Sequence, residues 1–447
     1  MPGSTYTILA MTLVATGATA QVRLPSVALP AVPLQTLQQT LGQTESQPLD
    51  RLSGLRHLEI GRLIRANPRV VDADPNGEPV VRNEILGLAP TDAALDRART
   101  LGFIVDREQT IAGMNIRVVV LRAPQGMTIA KALRTLRDAD PTGSYDYNHI
   151  YSGGGAIDAG ASDGRALSRG VAATAGTARD GPAPAPPAAS SAQSRVRIGL
   201  LDSGVDLTHP VFRESVVHAW GCDNHAVPAA HGTAVASLLI GRSEVFHGVR
   251  PDAELYAADV YCGRPTGGAV DTLVAALGWM VQERVPVINV SLVGPKNAML
   301  ERVIGDLIAG GYVIVAAVGN DGPAAPPLYP ASYQHVVGVT AVDAHRRVLI
   351  EAARGPQVMF ASPGADLAAA GSDHAYAAVR GTSFAAPFVA ALLASGLASP
   401  SSADAAAAVE QLVKTAVDLG PPGRDLTYGF GLVGADYRID PAPLIRR

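Results

Sequence analysis

From Arg195 onward the chain alternates near-continuous apolar runs with helical stretches, and this constrains its fold more than any other feature. RIGLLDSG, AELYAADVY, PVINVSL, YVIVAAVG and HVVGVTAVD have almost no polar face, as in strands covered on both sides. Between or after them, VDTLVAALGWMVQE, AMLERVIGDLIAG, FAAPFVAALLASG and ADAAAAVEQLVKTAV read as helices. This alternation predicts an α/β fold, a doubly wound and mostly parallel sheet. Chemistry in such sheets belongs at the carboxyl ends of the strands.

Three motifs fall at such places. RIGLLDSGVDLTHP puts Asp202 where a buried strand ends, and HGTAVASLLIG puts His231 at the start of an apolar helix. GTSFAAPFVAALLA puts Ser383 at another helix start, with Pro387 in the first turns, where a missing N–H costs least. A serine hydroxyl is a weak nucleophile and needs an imidazole to take its proton. The imidazole in turn needs a carboxylate on its far nitrogen to fix its tautomer. A helix start beneath Ser383 offers a backbone N–H to a developing oxyanion. YVIVAAVGNDGP ends a buried strand at Asn320, an amide placed to be a second donor. Any one of these residues alone reads as structural, since Asp or Asn before Gly is commonly a turn.

Taken together, the segments around Asp202, His231, Asn320 and Ser383 resemble the subtilases, the subtilisin-like serine peptidases. GTSFAAP and HGT-x-VA-x-L carry the resemblance, which covers about residues 195–435, including VINVSL and a closing YGFGLV. It implies that Asp202 orients, His231 is general base and then acid, Ser383 is the nucleophile and Asn320 donates to the oxyanion. It also implies a protein or peptide substrate. In the family a glycine stands where Val293 stands here in Ser291-Leu292-Val293-Gly294. Val293 is therefore expected to narrow the primary pocket toward Ala, Val or other small residues. The facing segment is read as Thr266-Gly267-Gly268-Ala269, whose glycines let a substrate backbone come close. An esterase would carry G-x-S-x-G, but the motif here ends in Ala385. A catalytically silent subtilisin-like binding or scaffold protein is the alternative. No cofactor is required by this chemistry and no metal ligand set is read; calcium is left unassigned, for no carboxylate-dense loop is present.

The N-terminal half divides differently. Residues 1–20 end an apolar run in Ala18-Thr19-Ala20 and read as a signal peptide, though basic residues before the run are missing. A buried segment or a wrong start is the alternative. Residues 21–49 read as a flexible lead-in. Residues 50–151 form a first unit. EILGLA, a helix over 91–102 with Thr91 as N-cap and Gly102 as stop, two strands turning near Gly113, a helix with Ile129, Leu133 and Leu136 on one face, and GSYDYNHIY give βαββαβ. That order fits a small ferredoxin-like α+β domain. By the family resemblance it is a prodomain, an intramolecular inhibitor released by self-cleavage near Tyr151 or within 152–194. A permanent accessory domain is the alternative. Residues 152–194 are Gly/Ala/Pro-rich and read as a solvated linker, leaving 195–447 as the catalytic domain.

Charge and cysteines bound the rest. Thirty-six basic against 40 acidic residues leave a net −4, no excess to grip nucleic acid. The apolar run Phe384–Ala398 is broken by Pro387 and Ser395 and suits a buried helix rather than a membrane span. Cys222 and Cys262 read as one disulfide in an exported protein, periplasmic or secreted. Free buried thiols, or a metal shared with His218 and His225, are the alternatives. A monomer is expected.

Overall fold

The computed structural model describes residues 48–111, 113–153, 156–158, 196–224 and 227–445. The signal-like and lead-in segments through residue 47, and linker residues 159–195, lie outside the described residues.

The small domain opens with helix α1 (Pro48–Ala66) and strand β1 (Val71–Ala73), two elements beyond those predicted from the sequence. Then follow β2 (Pro79–Leu88), α2 (Asp92–Thr100), β3 (Ile104–Ile111), β4 (Ile116–Arg122), α3 (Ile129–Ala139) and β5 (Ser144–Tyr151). Thr91 caps α2 by accepting the Ala94 N–H at 3.2 Å, and Gly102 takes φ +88° just past the helix end, a conformation open to glycine. The strands pair antiparallel in the order β5-β2-β4-β3, the ferredoxin-like arrangement. Both faces of this sheet are buried, for different reasons. Val119 and Leu121 of β4 pack with Leu95, Leu133 and Leu136 of the domain's own helices. Val118 and Val120 alternate with them and join the core of the larger domain.

That larger domain is built on seven strands in the order β14-β13-β12-β11-β7-β9-β8, every neighbouring pair parallel. In chain order these are β7 (Arg197–Asp202), β8 (Val216–Trp220), β9 (Glu254–Asp259), β11 (Val287–Val290), β12 (Val313–Ala317), β13 (Val337–Val342) and β14 (Val358–Pro363). Helices α4 (Ala230–Ile240), α7 (Ala386–Ala394) and α8 (Ser402–Thr415) contribute to one core. Helices α5 (Val270–Gln282) and α6 (Ala298–Ala309) contribute to another, which also receives the small sheet. The reversal of strand order at β7, β9 and β11 opens a crevice at their carboxyl ends.

Polar contacts fix the small domain on α5 and α6. Arg107 forks to Glu84 at 2.7 and 2.9 Å and reaches Asp271 of α5 at 2.7 Å. Asn148 donates to both carboxylates, at 2.8 and 3.1 Å. At the start of α6, Asn297 accepts from Met299 and Leu300, which turns its Nδ2 toward Tyr147 O at 2.9 Å and His149 Nδ1 at 3.0 Å. Asp146 accepts the Ala298 N–H at 2.7 Å, a carboxylate at a helix N-terminus, where the dipole favours it.

The two domains also share strands. The two-residue strand β10 (Gly268–Ala269) pairs antiparallel with the end of β5, Gly268 opposite Tyr151. Strand β6 (Ala156–Asp158) pairs antiparallel with β16 (Tyr376–Arg380), which in turn pairs with β15 (Leu367–Ala370). The start of the stretch read as a free linker is therefore engaged on the larger domain. Its backbone N–H and C=O groups can form a ladder whatever the side chains, which composition does not reveal.

Candidate active site

Asp202 ends β7 with no exposed surface and meets His231 in the first turn of α4. His231 Nδ1 lies 2.8 Å from Asp202 Oδ1 and 3.0 Å from Oδ2. Both oxygens accept, so Nδ1 carries the proton and Nε2 keeps its lone pair. Ser203 braces this pair. It donates to Asp202 from its backbone at 2.6 Å and its hydroxyl at 3.1 Å, and that hydroxyl accepts the Gly232 N–H at 2.9 Å. Burial pulls the imidazole pKa down, but the charge and hydrogen bond of Asp202 outweigh it and the net shift is upward. Nε2 is buried with no hydrogen-bond partner among the described residues, and the ring faces Phe384 with centroids 5.2 Å apart.

Ser383 lies in the short 3-10 turn Thr382–Phe384 that feeds α7, behind Gly381 at φ +139°. Ser291, just past β11, grips it twice. Ser291 Oγ donates to Ser383 O at 2.9 Å, and Ser383 Oγ donates to Ser291 O at 3.3 Å. Asn320, beyond the end of β12, accepts the Thr382 N–H through Oδ1 at 3.0 Å. With Oδ1 committed, its Nδ2 is left buried and unpartnered among the described residues. A buried unsatisfied amide is costly unless a ligand oxygen completes it. Asp202, His231, Asn320 and Ser383 thus lie at strand ends or helix starts on one side of the parallel sheet.

The crevice is occupied by the protein's own chain. Leaving β5, Ser152 pairs with Val293 in both directions, N to O at 3.0 Å and O to N at 2.9 Å. Val293 meets this segment through its main chain. Gly267, at φ +103°, leaves no room for a β-carbon beside the Tyr151 carbonyl oxygen. Gly294 carries the ring of Tyr151, whose hydroxyl donates to Pro295 O at 2.5 Å. One residue past Ser152, a β-carbon on Gly153 would sit 3.1 Å from His231 Cε1 and 3.2 Å from Nε2. Leu292 is fully buried behind this wall. Beyond the Thr382–Phe384 turn, Ala156 stands opposite Arg380, three residues ahead of Ser383.

Cys222 and Cys262 form a disulfide with Cα atoms 5.1 Å apart, so neither offers a thiolate to a metal. His218 stacks on Tyr256 at 4.4 Å, and His225 lies outside the described residues. Asp259, at the end of β9, accepts the Tyr261 and Cys262 N–H groups at 2.9 and 2.8 Å. Tyr261 Oη accepts the Gly153 N–H at 2.5 Å. Sequence reasoning passed over Tyr261, Asp259 and Ser203. The signal for Tyr261 was its place one turn past a strand end beside a paired cysteine.

A carboxylate, an imidazole and a hydroxyl near an unfilled amide donor, at the carboxyl ends of a parallel sheet, define the serine-hydrolase class. The Subtilase family model matches residues 193–431, more than half of the chain, and the chain belongs to the subtilase family of serine endopeptidases. Among curated relatives it is 28% identical over 247 residues to the minor extracellular protease Epr of Bacillus subtilis, covering 53% of this chain and 37% of Epr. It is 32% identical over 248 residues to subtilisin BL of Lederbergia lenta, covering 54% of this chain and 90% of that one. Among solved structures it resembles fervidolysin from Fervidobacterium pennivorans, a keratinolytic enzyme related to subtilisin. The TM-score is 0.63 at 19% identity, over 82% of this chain and 62% of that one. That likeness extends across the fold. No helix among the described residues is long and apolar enough to cross a membrane.

Proposed function

We propose that the protein is an exported serine endopeptidase made as a self-inhibited precursor, which cuts its own chain between Gly153 and Ala156. One observation carries this reading. Residues 151–153 run between the Gly267–Ala269 edge and Val293, with Gly153 against His231, as a substrate segment would.

In this mechanism Ser383 Oγ attacks the carbonyl carbon as His231 Nε2 takes its proton. The resulting oxyanion accepts from Asn320 Nδ2 and the Ser383 backbone N–H. The C–N bond then breaks, with His231 returning the proton to the leaving amine. Water activated by the same imidazole releases the acyl group. Asp202 holds the Nδ1–H tautomer and stabilises the imidazolium throughout.

Before the cut, the domain of residues 50–151 inhibits the larger domain, because the end of its last strand and residues 152–153 fill the crevice. Tyr151 lies two residues ahead of the one against His231, so its aromatic ring is not the side chain beside the bond. Gly153, Gly154 and Gly155 agree with a small-residue preference there. Export follows from the signal-like residues 1–20 and the disulfide, and the active form is a monomer needing no cofactor.

Intact-mass analysis of the full chain beside Ser383→Ala tests the reading. The wild type is expected to yield a fragment beginning at residue 154, 155 or 156, while the variant stays whole at this junction. Equal shortening of both, or a wild-type cut elsewhere, would overturn it.

A further inference from the structure

The amide of Gly153 presents a problem that its neighbours do not. In an antiparallel ladder only alternate residues exchange hydrogen bonds with the partner strand. Ser152 uses that pairing fully with Val293, so the next amide turns to the opposite wall, which needs its own acceptor. That acceptor is a side chain, the phenol of Tyr261, at 2.5 Å. Its backbone is held from behind. The Tyr261 and Cys262 amides both bind Asp259 Oδ1, and Cys262 is tied to Cys222 by the disulfide. Burial, with the nearby charges of Asp202 and Asp259, pushes the phenol well above its ordinary pKa, so Oη stays a neutral hydroxyl.

Resting on the endopeptidase reading above, we propose that Tyr261 is a substrate-positioning residue. Its hydroxyl accepts the backbone N–H of the residue lying against His231, and so selects for an amide with a free hydrogen. At the same position a β-carbon would lie 3.1–3.4 Å from three imidazole atoms, so any larger residue requires the ring to give by a few tenths of an ångström. The site then favours a small residue with a free N–H. Proline and N-methylated residues are disfavoured because they cannot donate to the half-buried Tyr261 hydroxyl and place carbon against its oxygen.

The test uses the full chain as Ser383→Ala, which keeps residues 151–153 in place, with and without Tyr261→Phe. Hydrogen exchange is read at single-residue resolution. The Gly153 amide is expected to exchange at least tenfold faster in Tyr261→Phe, with the Ser152 amide, bonded to Val293, unchanged. Unaltered Gly153 exchange, or equal loss at both amides, would overturn the proposal, the second because it marks Tyr261 as packing alone. A second readout uses active enzyme and peptides Tyr-Ser-X-Gly-Ala with X as glycine or sarcosine. Wild type should favour glycine about tenfold in kcat/KM, the scale of one hydrogen bond. Tyr261→Phe should bring that ratio near one, and an unchanged ratio also overturns the proposal. If wild type cleaves neither peptide, the endopeptidase reading fails, while the exchange experiment still decides the role of Tyr261.

Discussion

The ring of Tyr151 lies against the bare α-carbon of Gly294. A β-carbon built there would meet three of its ring carbons at 2.7–2.8 Å, closer than real contacts allow. Gly294→Ala should therefore displace Tyr151 while leaving the remote catalytic groups in place. We expect slower self-processing and a KM raised tenfold or more for peptides with tyrosine at this position. Peptides with alanine there should change less. Equal KM changes for both peptide classes would show that the ring is not seated on Gly294 in substrate complexes.

The Asp202–His231 pair sets a pH dependence. Acylation needs neutral His231, whose pKa is held above the ordinary 6.5 because the Asp202 charge and hydrogen bond outweigh burial. Activity should accordingly fall as pH drops through a midpoint above 6.5. In Asp202→Asn the charge is gone and burial acts alone, so the acid limb should move below 6.5. Meanwhile kcat should fall by roughly 10⁴, the scale seen when a triad carboxylate becomes an amide. A kcat/KM profile whose acid limb does not move on substitution would contradict this assignment.

Arg107 bridges two carboxylates that belong to different domains. Its side chain is 45% exposed while those of Glu84 and Asp271 are each 10% exposed. Removing it leaves two nearly buried like charges without their cation. The loss should lie below the 3–5 kcal/mol typical of a fully buried pair, at about 1–3 kcal/mol, since water reaches the guanidinium. In the Ser383→Ala background, Arg107→Ala should lower the thermal midpoint, and Asp271→Asn added to it should restore part of the loss. Additive losses from the two substitutions would refute the coupling.

Cys222–Cys262 closes a loop with a sequence separation of 40, and it anchors Tyr261. Chain-entropy arguments put such a crosslink at about 2–4 kcal/mol. The double serine variant should melt lower and show a raised KM with kcat little changed, since Asp202, His231 and Ser383 are held by other contacts. An unaltered KM would separate the disulfide from substrate binding.

Residues whose placement is set locally could be located from the sequence. Asp202, His231, Asn320 and Ser383 sit at strand ends or helix starts, where short motifs and periodicity specify both element and terminus. The βαββαβ order was also legible, because Thr91, Gly102 and the alternating valines of β4 act within a few residues. What escaped depends on distant partners. Tyr261 has meaning only opposite Gly153, 108 positions away. The start of the Gly/Ala-rich stretch gains structure from β16, more than 200 residues on, through backbone groups every sequence possesses. Helix α1 was not read from the sequence; Arg56 ties it to Glu78 at 2.9 Å and to Asp321 at 3.3 Å, the second again distant in sequence.

The pairing of β10 with β5 has a consequence in time. While the chain is whole, tethering holds β5 on that edge at an effective concentration that for short linkers is of order millimolar. A cut between Gly153 and Ala156 makes the same contact bimolecular, while β6 stays with the larger domain on β16. From that moment the fraction of enzyme still inhibited would depend on how much protein surrounds it. On the self-processing proposed above, dilution would then favour the free enzyme, quiet where it is crowded and active as it disperses.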